Sequence, residues 1–143
     1  MKKTLYIGLA LSLVLMMVMR FPLAFGLEGK KNPHNRLFGY EEVARHIQPL
    51  AGESVFADHL TLASSLTYYL KKDVYIPTET RKSQFDWWQK GMDFSQTKGI
   101  YVSKTDHLEE LKTIWKNVEL LEIYTAHKQG YSDKLFYIYK VSN

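Results

Sequence analysis

The chain of 143 residues contains no cysteine. That excludes disulfides, thiolate catalysis and thiolate-held metals, and it is compatible with any compartment. There is no internal repeat and no low-complexity tract. No long run of one charge is present either. Lysine and arginine alternate with glutamate and aspartate, and the formal net charge is only +4. A basic stripe of the kind that tracks nucleic acid is therefore missing, and no nucleic-acid partner is expected. The five histidines form no HxxxH or HExxH pair, so a metal site has no sequence support. Ser64-Ser65 lacks the G-x-S-x-G turn of a hydrolase nucleophile. Gly91 and Gly99 stand alone and make no glycine-rich phosphate loop. No cofactor is expected.

What the chain does have is an uneven spread of apolar residues. Much of the 45% hydrophobic content lies in the first 27 residues, "MKKTLYIGLALSLVLMMVMRFPLAFGL". Two lysines precede an uncharged, largely apolar run from Leu5 to Met19, interrupted by Ser12. Two readings follow. As a transmembrane anchor, the segment from Leu5 to Leu27 is long enough to cross with some tilt, with Arg20 snorkelling to the far interface. As a secretory signal, Pro22 ends the helix and Ala24-Phe25-Gly26 offers small residues for cleavage. Lysines and arginines balance across the segment, so charge does not fix orientation. Either reading most simply exports the rest of the chain. The expected organisation is an anchor or signal over residues 1–28, a linker over 29–39, and a soluble extracytoplasmic domain over 40–143.

Within that domain "YEEVARHIQPL" carries Val43, Ile47 and Leu50 at helical spacing and should close at Pro49. "SVFAD" is a short strand, apolar because it is buried on both faces. "LTLASSLTYYL" is a helix with Leu62, Leu66, Tyr69 and Leu70 on one face. "DVYIP" and "GIYVS" are further strands. "TDHLEELKTIW" sets Asp106 and Glu109 at capping-box spacing before a buried stripe of Leu108, Leu111 and Trp115. "VELLEIYTA" and "KLFYIYKVS" flank the turn residues of "HKQGYSD" and form an antiparallel hairpin. This order predicts an α/β fold: an N-terminal transmembrane or signal helix, then a small mixed sheet flanked by helices. The sheet is parallel in its first half and ends in the antiparallel hairpin.

Open α/β sheets bind ligands beyond the carboxyl ends of their parallel strands. The groups expected there are Asp58 and His59, Thr78 to Arg81, and Ser103 to Asp106. The stretch "TRKSQFDWWQK" directly follows the second strand. Asp58 and Asp86 are either an acid/base pair or, more simply, a helix cap and an ion-pair partner of Arg81 or Lys82. Phe85, Trp87 and Trp88 fit a cluster packed on the sheet edge, a sugar-stacking platform, or a contact with the membrane interface.

The segment "FADHLTLASSLTYYLKKDVYIPTETRKSQFDWW", with Gly39, Glu42 and Ala44 before it and "GIYV" after it, resembles a known family. It is similar to the C-terminal extracytoplasmic region of bacterial family-39-type glycosyltransferases, relatives of the dolichyl-phosphate-mannose protein mannosyltransferases. The likeness runs from the apolar helix to the end of the chain, and the order and spacing of short motifs carry it. The matching loop positions are Arg81, Ser83, Gln84, Phe85, Asp86 and Trp88. Such enzymes are polytopic and transfer sugar from a polyprenyl-phosphate carrier on the extracytoplasmic side. Their catalytic acidic residue lies in an early loop between transmembrane helices, which has no counterpart here. The resemblance thus implies a membrane-anchored C-terminal domain or fragment that contributes acceptor or glycan contacts, or stability, and does not transfer sugar alone. It implies a single-pass protein of the bacterial inner membrane with a periplasmic domain, or a secreted periplasmic form after cleavage. Its partners would be the membrane, a polytopic glycosyltransferase subunit, and a glycan or lipid-linked sugar. The candidate binding residues are Asp58, Arg81, Gln84, Asp86, Trp87 and Trp88. The alternative is an independent exported binding module that uses the strand-end crevice.

Overall fold

Every residue of "VFA" is fully buried, as a strand covered on both faces must be. In the computed structural model, which describes residues 2–52, 54–77 and 87–143, this segment is β1 (Ser54–Ala57). β1 pairs in parallel with β2 (Val74–Tyr75) and with β3 (Gly99–Ser103). The hairpin strands β4 (Asn117–Ala126) and β5 (Lys134–Ser142) are antiparallel to each other, and β5 is antiparallel to β3. The order is β2-β1-β3-β5-β4. The mixed α/β fold expected from the sequence is therefore present, parallel first and antiparallel after.

The described chain forms two compact units, residues up to Phe38 with His127–Asp133, and Gly39–Ala126 with Lys134–Asn143. The second unit holds the sheet. Alternation along the strands sends Phe56, Tyr101, Tyr139 and Val141 to one face, where they pack with Leu111 and Trp115. The same alternation turns Val55, Ala57, Val102 and Ile138 to the opposite face. Helices α2 (Tyr40–Ile47) and α3 (Leu60–Leu70) bury Val43, Ala44, Ile47, Leu62, Ala63 and Leu66. Tyr40 meets Phe136 edge-on at 6.1 Å, and His46 stacks on Tyr124 at 4.4 Å, so α2 lies over the hairpin. Gly99 sits where β3 crosses Ser54 of β1. A Cβ there would stand 2.0 Å from the Ser54 carbonyl oxygen, so only glycine fits.

Three local expectations are corrected. α2 ends at Ile47, and Leu50 falls in the following turn and is exposed rather than part of the stripe. Tyr69 is exposed, because Ala63 beside Leu62 and Leu66 shifts the buried face of α3 away from it. The capping box does not form. Asp106 Oδ1 accepts from the Leu108 N–H at 2.9 Å, Glu109 pairs with Lys112, and α4 is the single turn Leu108–Leu111. Asp106 is drawn instead toward Tyr139, whose hydroxyl donates to it at 2.7 Å.

The first unit begins with α1 (Lys2–Arg20). Its apolar side chains are exposed on every side, with none of the window Lys3–Arg20 buried. A helix apolar all round has no face suited to water, and this one is apolar enough to span a membrane or to serve as a signal sequence. Residues 29–36 are not featureless. They make two 3-10 turns, Gly29–Lys31 and Pro33–Arg36. Asn32 is buried and donates to the Gly130 carbonyl at 3.2 Å, while its Oδ1 accepts from the His34 N–H at 2.9 Å. Gly130 has φ +82, and a Cβ on it would stand 2.4 Å from the Leu23 side chain.

Candidate functional site

Two places in the sheet unit collect chemically useful groups. The first is the carboxyl end of β1 and β3, where the chain leaves in opposite directions, the usual ligand position of an open sheet. Asp58 follows β1 and is anchored there: its backbone N–H donates to the Val102 carbonyl at 3.2 Å. Its Oδ2 accepts from the Lys104 N–H at 2.9 Å, and its Oδ1 meets His59 Nδ1. The residue at the start of α3 is His59, which makes no capping bond. Asp58 therefore does not cap that helix, as the simpler sequence reading had it. It ties the β1 exit to the β3 exit.

Around this tie the strand ends gather further polar groups. The Lys104 ammonium donates to the Tyr40 hydroxyl and lies 4.7 Å from that ring's centroid. Lys134, at the start of β5, lies 5.0 Å from the same centroid. Burial, with a smaller contribution from the Lys104 charge, holds the Lys134 ammonium below the usual lysine range. Tyr139 donates to Asp106 and accepts from the His107 N–H at 3.3 Å. Its phenol is pushed upward, by burial first and then by the bond to Asp106, while that bond holds the Asp106 carboxyl below the ordinary carboxylate range. The cluster is internally bonded. Four histidines each face a carboxylate: His46 with Glu122, His59 with Asp58, His107 with Glu110 and His127 with Asp133. Among the described residues no three metal-ligating side chains converge.

The second place is the outer edge of the sheet. A cleft of about 230 Å³ is lined by Thr67 of α3, by Asp73, Val74 and Tyr75 along β2, and by Trp88, Gln89 and Met92. Trp87 and Trp88 are helical and stand 77% and 65% exposed, so they are not a packed cluster on the sheet edge. Gln89 holds them there. It is buried, and its Oε1 accepts from the Ile76 N–H at 2.5 Å, just past β2. The Thr67 hydroxyl oxygen is buried with no hydrogen-bond partner among the described residues. An exposed tryptophan, an aspartate and a threonine thus line one hollow.

No protein-family model, curated protein or solved structure matches the chain. The geometry is thus the whole basis for assigning the sites.

Of the sequence candidates, Arg81, Gln84 and Asp86 lie outside the described residues, as do Thr78 and Phe85. Asp58 takes its place at the strand ends, and it is not among the residues that line the cleft of Trp88. The sequence reading missed Thr67, Asp73, Gln89 and Met92. Gln89 carried the only available signal, a polar amide set directly after two tryptophans. Asp73 and Thr67 carried none, because only the fold of α3 onto β2 brings them to Trp88.

Proposed function

We propose that this chain is a membrane-anchored glycan-binding domain, related to the extracytoplasmic C-terminal region of polyprenyl-phosphate-sugar-dependent glycosyltransferases. It supplies acceptor or glycan contacts rather than transfer chemistry. The observation that carries the reading is the cleft beside β2, where the exposed Trp88 lies alongside Asp73 and Gln89. Saccharides present C–H faces that lie on aromatic rings and hydroxyls that need fixed polar partners, and the cleft offers both. Kinship with the glycosyltransferases is supported by the ordered motifs from Gly39 to Val102 and by an apolar helix ahead of the domain. An extracytoplasmic position accords with that helix, and the domain works on the outer side of the inner membrane.

The test is saccharide binding by the full chain in detergent micelles, followed by NMR or calorimetry against neutral oligosaccharides. Trp88→Ala should weaken binding about tenfold, the worth of one well-placed ring, with the melting temperature unchanged. Asp73→Asn should weaken it as well. Unaltered binding in Trp88→Ala would remove the cleft from the proposal. Detergent extraction should also bring down a polytopic partner, and its consistent absence would count against a subunit role. Asp58 favours the strand-end alternative less, since both its carboxylate oxygens are engaged by neighbouring groups.

A further inference from the structure

We infer that the aromatic surface around this cleft is a docking face for a bilayer with anionic headgroups. The ligand of the cleft is then the saccharide portion of a membrane lipid; this clause rests on the glycan reading above, whereas the docking itself does not. The surface joins two elements. Tyr68 on α3 is 65% exposed and meets Tyr69 edge-on at 5.1 Å. Trp87, Trp88 and Met92 are exposed on the segment beyond β2. The two elements meet at the cleft, where Thr67 of α3 lines the same hollow as Trp88 and Met92.

The chemistry of the surface selects the occupant. Tryptophan and tyrosine rings settle at the headgroup level, apolar body inward and polar edge toward water. A lysine accompanies each leading ring: Lys71 Nζ stands 4.1 Å from the Tyr68 centroid, and Lys90 Nζ stands 5.7 Å from that of Trp87. Rings with cations beside them complement phosphate-bearing headgroups, which supply acyl chains and negative charge together. The chain also carries α1, a helix long and apolar enough to cross the bilayer. Tethering makes docking an intramolecular event, so a small patch suffices where a free protein would need a larger one. A cleft opening within such a patch meets headgroup sugars before soluble ones.

The chain's three tryptophans make this measurable, because Trp115 is only 1% exposed in the core and serves as an internal reference. The full chain is reconstituted into phosphatidylethanolamine vesicles containing phosphatidylglycerol brominated near the top of the acyl chain. Bromolipid should quench the emission that Trp87→Phe/Trp88→Phe removes, and leave the remaining Trp115 emission unquenched. Lys71→Glu/Lys90→Glu should lose the quenching while still floating with the vesicles. Replacing phosphatidylglycerol by brominated phosphatidylcholine should reduce the quenching in the wild type. Emission that ignores bromolipid and is quenched by aqueous iodide would overturn the proposal. So would equal quenching in the lysine variant, or protection that appears only with a co-reconstituted protein. Failure here with saccharide binding intact in micelles would sink the docking alone. Quenching without saccharide binding would sink the glycan reading alone.

Discussion

Trp115 and Trp87 are the same residue type under opposite physics. Trp115 is enclosed by Phe56 and Tyr101, with its ring 5.0 Å and 6.4 Å from theirs, and its indole N–H donates to the Thr97 carbonyl at 3.0 Å. Trp115→Ala should cost about 3–5 kcal/mol in denaturant unfolding, whereas Trp87→Ala should stay within about 0.5 kcal/mol. The Asp106–Tyr139 bond makes a separate prediction about pH. Asp106 is depressed in the fold, so its contribution is complete above the ordinary carboxylate value of 3.8 and is lost as pH falls through the lower folded value. Tyr139 is raised, so its contribution is complete below the ordinary phenol value of 10.0 and is lost as pH rises from there through the higher folded value. Tyr139→Phe should lower the melting temperature at pH 7, and the gap to wild type should narrow below pH 3.8; a gap independent of pH would refute the pairing. At this scale the sequence was partly legible. The tryptophan pair announced itself, but its exposure did not, since exposure depends on what the fold places alongside. Asp58 and the stretch Ser103 to Asp106 were legible as strand-end groups, but that Lys104, 46 residues away, is the partner of Asp58 was not.

Elements were more legible than side chains. Strand-like runs of β-branched and aromatic residues, and the i, i+4 spacing of Val43 and Ile47, identified the order of helices and strands, because period reports burial directly. Element ends were less visible. The capping-box spacing at Asp106 lost to a tertiary hydrogen bond, and Leu50 fell outside its helix, which stops before Pro49 as expected. Gly99 was seen only as an isolated glycine, although it is what lets β1 and β3 approach. Gly99→Ala must push a methyl group against the Ser54 carbonyl, and it should destabilise by at least about 1–3 kcal/mol in thermal unfolding. A wild-type melting curve for that variant would mean that the β1–β3 register differs from Ser54↔Gly99.

For the whole molecule, the governing contrast is between α1, apolar on all sides, and a sheet unit whose helices are apolar on one side. This division was evident from composition, since the apolar run needs no folded partner to declare itself. The place of the hairpin turn was not: residues 127–133 belong with the first unit, through Asn32 and Asn35 bonding Gly130 and Ser132. The membrane anchor proposed above makes a prediction at this scale. The full chain should resist alkaline extraction from membranes, and Leu9→Arg/Leu13→Arg should release it, as charged groups at the centre of a span cost several kcal/mol by insertion scales, about 2.5–3.5 each. Release of the wild type under the same wash would assign α1 to a signal rather than an anchor.

The bond from the Ile76 N–H to Gln89 has a consequence outside ligand recognition. Among the described residues β2 is the last strand on its side of the sheet, and such a strand can recruit one from another molecule and start aggregates. Here the Gln89 side-chain oxygen occupies the backbone donor just past the end of β2, so that donor is not on offer to an intruding strand.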